Sequence, residues 1–279
     1  MIELVGKVGS MALIDKEKKT IDSNVFKQIS MCLRPGYVWV SSGATEIGRI
    51  DYMRRSNMEE LPGDGEKNKP DYASQGQAIL MENYRKYVNS NYNLRQFLVE
   101  HQHFNDAEKR KYLKEALERA ADQNAIPIIN YNDAVSDAEI RKLEIQSLKD
   151  SGQEGAVECV DNDETASQIA CILECKRLLI LTSVDGIYEA PDDPNTLIPI
   201  ITEKTVEELL QRIDNYCAVS CKGASRKGAK GASAKLAYIK EPLKIGTTVI
   251  IASSRYSIDD ILRGLTPQTR IGLKITEGC

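Results

Sequence analysis

Short, nearly continuous apolar runs alternate along this chain with longer stretches in which apolar residues recur every three or four positions. The runs at residues 2–8, 37–41, 126–130, 178–182 and 247–252 predict strands. All but the first read as strands covered on both faces, where no polar face interrupts the pattern. Helical spacing predicts helices over about 22–33, 75–89, 107–124, 164–174, 205–213 and 233–239. In the third of these, Leu113, Ala116, Leu117 and Ala120 make the core stripe and charges fill the remaining positions. Strand and helix in alternation predict an α/β fold with a largely parallel sheet. Two polar stretches rich in Gly and Pro or Gly and Ser, 54–72 and 134–160, predict long loops of the kind that cover ligands.

Composition narrows the classes. A chain of 279 residues can bury one large core or two closely joined ones, and no low-complexity linker divides it. With 41 acidic against 37 basic residues the formal charge is −4, which argues against a general nucleic-acid binder, since counterion release needs a concentrated basic surface. No apolar run approaches the roughly 20 residues that cross a bilayer. Met1-Ile-Glu-Leu-Val-Gly reads as the start of a strand rather than a leader, so no membrane partner and a cytoplasmic location are expected. Seven cysteines, an odd number without a Cys-x-x-Cys pair, fit reduced thiols. Cys171 and Cys175, like Cys217 and Cys221, stand four apart on one helix face. The two histidines lie far away in sequence, so these thiols read as small apolar side chains and no metal ligands are assigned.

The chemistry concentrates at strand ends, where open α/β sheets bind ligands. Those ends carry Lys7-Val8-Gly9-Ser10, Ser41-Ser42-Gly43-Ala44, Asn130-Tyr131-Asn132-Asp133 and Thr182-Ser183-Val184-Asp185-Gly186. Gly9 and Gly43 let backbone N–H groups approach an anion, and a following helix adds its positive end. Asp161-Asn162-Asp163-Glu164 sets an amide among carboxylates at a helix start. The usual nucleotide motifs are missing. Gly223 to Gly228 comes nearest to a phosphate-binding loop but continues with Ala229 instead of lysine, and neither a dinucleotide glycine fingerprint nor a eukaryotic kinase signature is present.

Taken in order, these segments resemble the amino-acid kinase superfamily, and within it the glutamate 5-kinases. The resemblance rests on Lys7 to Ser10, Val40 to Ala44, Gly76-Gln77, Pro127 to Asp133, Asp161 to Asp163, Leu181 to Tyr188 and Gly228 to Leu236, so it runs over essentially the whole chain. It implies a three-layer αβα sandwich in a single domain over 1–279, with an acceptor-binding part at about 1–160 and a nucleotide-binding part at about 161–279. It implies transfer of the γ-phosphoryl group of ATP, with Mg²⁺ on the phosphates, to the side-chain carboxylate of glutamate in proline biosynthesis. Lys7 and Lys235 are implied as the catalytic cations with Asp163 holding them. Ser42, Gly43, Asn130, Asp133 and Asn162 are implied around the acceptor. Gly9, Ser10, Thr182, Ser183 and the run Ala229, Lys230, Gly231, Ala232, Ser233 and Ala234 are implied around the nucleotide. A homodimer or larger assembly is implied as well.

The residue types suit that reaction. Acceptor carboxylate and γ-phosphate repel by roughly 4 kcal/mol per unit-charge pair at 4 Å and an effective dielectric of 20, so fixed cations must offset the repulsion. A carboxylate with a reference pKa of about 4.3 is already ionised and needs no general base. Three features depart from the pattern. Ser183 stands where the family usually has Asp, Lys230 adds a cation to a run otherwise richer in Gly, and 134–160 is a long connection. The C-terminal RNA-modification-type domain of many bacterial glutamate 5-kinases is not expected after residue 279. The long connection favours, as alternatives, another small anionic acceptor such as a different amino acid, a phosphonate or a phosphate monoester. Ser183 and the altered run raise a ligand sensor without turnover.

Overall fold

Burial on both faces is what the apolar runs demand, and the computed structural model, which describes residues 2–159, 161–190, 193–222 and 236–274, shows it. Every residue of β1 (Leu4–Val8) is buried. A small antiparallel ribbon, β2 (Ile14–Asp15) with β3 (Thr20–Ile21), precedes α1 (Ser23–Cys32), which Asp22 caps by accepting the Asn24 and Val25 N–H groups. There follow β4 (Tyr37–Ser41), α2 (Ala44–Arg55), α3 (Lys69–Tyr87), β5 (Asn93–Val99), the single turn α4 (Gln102–Asn105), α5 (Ala107–Asp122), β6 (Ala125–Tyr131) and α6 (Ala138–Asp150). The remainder comprises α7 (Asn162–Leu173), β7 (Arg177–Thr182), β8 (Ile200–Glu203), α8 (Val206–Lys222), α9 (Lys240–Lys244), β9 (Thr248–Ser253), α10 (Ile258–Arg263) and β10 (Gln268–Leu273).

The chain divides into two compact units, one of residues 8–162 and a split one of 1–7 with 163–279. In the 8–162 unit the strand order is β5-β6-β4, all parallel. In the split unit it is β1-β7-β9-β10-β8, with β7 and β9 parallel, β8 and β10 parallel, and β10 antiparallel to β9. The α/β class with a largely parallel sheet is therefore what the chain has.

Several elements differ from the reading of the sequence, each for a physical reason. β5 was not expected: it is an edge strand whose residues are mostly half-buried or exposed, so it has no continuous apolar run. β10 hides in a polar sequence because Gln268 and Thr269 are buried, with the Thr269 hydroxyl donating to Ile198 O at 2.7 Å and accepting from Ile187 N at 2.8 Å. The 134–160 stretch, expected as a loop, contains α6; Asp137 caps it, but Ile145 is its only buried residue, so the apolar stripe was too narrow to show. α3 likewise begins at Lys69, inside the expected 54–72 loop.

A close helix crossing shapes the 8–162 unit. A Cβ on Gly76 would lie 1.9 Å from Ala44 O and 2.5 Å from Gly48 N, and one on Gly48 would lie 1.8 Å from Tyr72 O. Only glycines allow α2 and α3 to touch backbone to backbone. Gly76→Ala is expected to destabilise the protein by about 2–4 kcal/mol in urea denaturation, whereas Gly65→Ala, which has open space around it, should change stability by no more than about 0.5 kcal/mol. Equal effects from the two would sink this account of the crossing.

Candidate active site

β1 delivers Lys7 to its carboxyl end with the side chain buried, and a buried ammonium needs a partner. Asp163 supplies it at 2.7 Å, both side chains being less than one-tenth exposed. Asp163 and Glu164, both buried, occupy the first turn of α7, where carboxylates face the positive end of the helix dipole. This pair lies wholly within the split unit.

Two more strand ends belong to the same unit. After β7, the Thr182 hydroxyl accepts from Val184 N at 3.0 Å and donates to Val184 O at 2.8 Å, closing a tight turn that leaves Ser183 exposed. Gly186 packs so closely that a Cβ there would meet Thr269 Oγ1 at 2.3 Å. Asp185 takes both oxygens to Arg255, at 2.7 Å each, and the Arg255 guanidinium also lies 4.8 Å from the centre of the Tyr256 ring. Sequence reasoning missed Arg255, although Ser253-Ser254-Arg255-Tyr256 follows β9 in the way the other polar turns follow their strands. Lys235, with Ala229, Lys230, Gly231, Ala232, Ser233 and Ala234, lies outside the described residues.

In the 8–162 unit a chain of side-chain hydrogen bonds links four polar residues, and one backbone group sets its direction. Tyr131 N–H donates to Asn162 Oδ1 at 3.2 Å, so the Asn162 amide nitrogen must face the other way. It donates to Ser42 Oγ at 3.1 Å and to Asn130 Oδ1 at 2.8 Å. Asn130 Nδ2 then donates to Gln77 Oε1 at 2.8 Å, which leaves Gln77 Nε2 as a buried donor without a partner among the described residues. Ser42 Oγ is thus an acceptor from Asn162, and its own hydrogen has no partner among the described residues. Both N–H groups of Asn162 are already engaged.

Local structure explains why these residues stand where they do. Ser42 N donates to Val8 O at 3.2 Å, and Gly43, at φ +109°, turns the chain into α2 with a conformation that other residues resist. Below it, Ser41 Oγ lies 2.8 Å from Tyr84 OH, which also accepts from Trp39 Nε1 at 3.1 Å. Gly9 extends from β1 into the single turn Ser10–Ala12, with Ala12 N bonded to Gly9 O.

Asp133, just after β6, is different from its neighbours. Its carboxyl is pushed up to about 6 by burial, which the positive charges of Arg141 and Lys69 only partly oppose, and among the described residues no hydrogen bond supports it. Beside it, Asn132 donates to Glu100 Oε1 at 2.8 Å, and His101 Nε2 meets Glu144 Oε2 at 2.8 Å. Sequence reasoning set the histidines far from every motif; the unexpected β5 brings His101 to the strand end beside β6. Among the described residues, no three His, Cys, Asp or Glu side chains are grouped to hold a metal ion, and no helix is long and apolar enough to cross a membrane.

An ionised carboxylate without partners is a cost to folding. Because the folded pKa of Asp133 exceeds its ordinary 3.8, that cost is fully present above about pH 6 and fades as pH falls toward 3.8. Asp133→Asn is therefore expected to stabilise the protein at pH 7.5, on the order of 1–3 kcal/mol, and by clearly less at pH 4.5. Thermal denaturation at the two pH values checks it; a loss of stability at pH 7.5 contradicts it.

Comparison with known proteins bears on what these groups serve. Residues 3–253 match the Amino acid kinase family. The chain is 27% identical over 259 residues to a glutamate 5-kinase of Streptococcus suis, covering 90% of this chain but 64% of that protein's length. It is 28% identical over 264 residues to a glutamate 5-kinase of Alkaliphilus metalliredigens, covering 91% of this chain and 88% of that one. Among solved structures, UMP kinase from Ureaplasma parvum superposes with a TM-score of 0.51 at 14% identity, over 97% of this chain and 99% of that one, which is a likeness of fold. A match that begins at residue 3 and ends at residue 253 makes this chain a member of the amino-acid kinase family.

Proposed function

We propose that the protein is an ATP-dependent phosphotransferase whose acceptor is the side-chain carboxylate of glutamate. The observation that carries the reading is Lys7, an ammonium buried at the end of β1 and held at 2.7 Å by Asp163, in a chain of this family. A fixed cation of this kind stabilises charge as it develops on a transferring phosphoryl group without having to reorganise. The glutamate 5-kinase relatives support the choice of acceptor.

On this reading Ser42 donates its remaining hydrogen to an acceptor carboxylate, oriented by Asn162, while Asn130 and Gly43 shape the floor around it. Asp133 takes an α-ammonium group, which would return the carboxyl to its ordinary ionised state. Gly9 and Ser10, Thr182 and Ser183, and the run from Ala229 to Ala234 with Lys230 belong to the phosphates and nucleotide. Lys235 would be the second cation. Mg²⁺ would arrive on the nucleotide, supplying charge neutralisation, because the described side chains form no cluster of metal ligands. An assembly of two or more copies and a place in proline biosynthesis belong to the same reading.

The test is ADP release with ATP and Mg²⁺ over a panel of acids, with hydroxylamine added to trap acyl phosphates as hydroxamates. Signal with L-glutamate is expected. ADP release only with phosphonates or phosphate monoesters would replace the acceptor, and ligand-dependent thermal stabilisation with no ADP release would make the protein a sensor. Lys7→Met should lower kcat by about 10²- to 10³-fold. It also takes the Lys7 ammonium away from a buried carboxylate, at about 3–5 kcal/mol, so the double variant Lys7→Met/Asp163→Asn separates the effects: stability should recover while activity stays lost. Activity that recovers with stability would show the pair to be merely structural.

A further inference from the structure

Two opposite charges at the end of β6 stay apart. Arg141, on α6, donates through Nη1 to Cys159 O at 3.2 Å, and its guanidinium lies 5.4 Å from the centre of the Tyr131 ring. These contacts use one of its five N–H donors, and the remaining ones have no protein partner among the described residues. Its positive charge reaches the half-buried carboxylate of Asp133, yet the two make neither an ion pair nor a hydrogen bond with each other. A carboxylate and a guanidinium in Coulombic range normally close into a bidentate pair. Here the guanidinium is engaged by the Tyr131 ring and the Cys159 carbonyl instead, and among the described residues both groups keep bonding capacity unspent.

The helix that carries Arg141 is well fixed. Asn105 Nδ2 donates to Val157 O at 2.8 Å while Val157 N donates to Asn105 Oδ1 at 2.7 Å. Lys149 pairs with Glu158 at 2.7 Å, and Glu144 meets His101. Residues 134–159 thus form an arm, tied down at several points, that sets a cation beside Asp133. The other charge facing Asp133 is Lys69, at the start of α3, and it is exposed and already paired with Glu66 at 2.6 Å. Arg141 is therefore the cation with capacity to spare.

We propose that Arg141 is a specificity-determining residue of the acceptor site, binding the α-carboxylate of a zwitterionic α-amino acid whose ammonium group is taken by Asp133. This rests on the reading that Asp133 belongs to the acceptor site, and it narrows the acceptor: the head group must carry both charges on one carbon. Phosphonates and phosphate monoesters without an amine leave Asp133 unpaired, and simple amines leave Arg141 unpaired. An arginine fork suits a planar carboxylate better than a lysine would.

The experiment reads binding, not turnover. Calorimetry on the full chain compares L-glutamate and L-aspartate with their decarboxylated counterparts, 4-aminobutyrate and 3-aminopropionate, and with glutarate, which lacks the ammonium. The wild type should bind at least one of the two α-amino acids, roughly 10- to 100-fold more tightly than its decarboxylated counterpart and than glutarate. Arg141→Met should erase that preference by weakening the α-amino acid, with the decarboxylated partner unchanged to within about twofold, and Arg141→Lys should restore part of it. Lys69→Met should change neither by more than about threefold. In the wild type the affinity falls as pH drops through the raised pKa of Asp133, and in Arg141→Met that fall should begin at higher pH. Arg141→Met weakening both ligand types equally, or leaving the pH profile in place, overturns the proposal; so does a wild type that binds no α-amino acid. Should Arg141→Met unfold, Arg141→Gln, which keeps a donor for Cys159 O, carries the same comparison. Selective α-amino acid binding without ADP release would refute the kinase reading and leave this inference intact.

Discussion

A lysine ammonium buried at the end of a strand must be neutralised within hydrogen-bond reach, and that requirement organises the split unit. Lys7 comes from the first strand and Asp163 from a helix more than 150 positions later, so their 2.7 Å contact can exist only when β1 and α7 are both in place. The buried surroundings that make the pair costly to break also make its charges effective, because water does not screen them. Asp163 gains further from standing in the first turn of α7, where the helix favours a negative charge. On the proposed reading, stability and chemistry draw on the same pair.

The 8–162 unit handles polarity in another way. A single backbone donor, Tyr131 N–H, fixes which end of the Asn162 amide faces Ser42, and the direction passes through Asn130 to Gln77. Amides bonded in series allow no independent flips, so the Ser42 hydroxyl is left as a donor to whatever approaches it. Asp133 lies outside this network and carries the strain of an unsupported carboxylate. On the proposed reading, the bonded amides of Asn162 and Asn130 and the unsupported Asp133 carboxyl are preorganised for a ligand that completes them.

The glycines at the α2–α3 crossing show how packing serves placement. With Gly48 and Gly76 the helices meet at backbone distance, and α3 presents Gln77 and Tyr84 to the ends of β6 and β4. A side chain at either glycine would push α3 away from both. The tie between Asn105 and Val157 does similar work for the arm that carries Arg141, a segment whose composition reads as loop.

By itself the sequence determined the class and the inner strands, since a strand covered on both faces must be apolar throughout: β4 and β6, and likewise β7 and β9, stand within a residue of where the apolar runs place them. It also marked Lys7, Ser42, Asp133, Asn162 and Asp163, because polar residues at strand ends and a helix start break the local pattern. It could not mark β5 or β10, whose pattern depends on an edge position and on buried hydroxyl bonding, nor α6, which buries one residue. Only the tertiary structure decided that Asn162 spends its donors on Ser42 and Asn130, that Asp185 is clamped by Arg255, and that Arg141 stands beside Asp133 without closing on it. Pairing between residues distant in sequence is set by how strands and helices pack, and local periodicity carries no record of it.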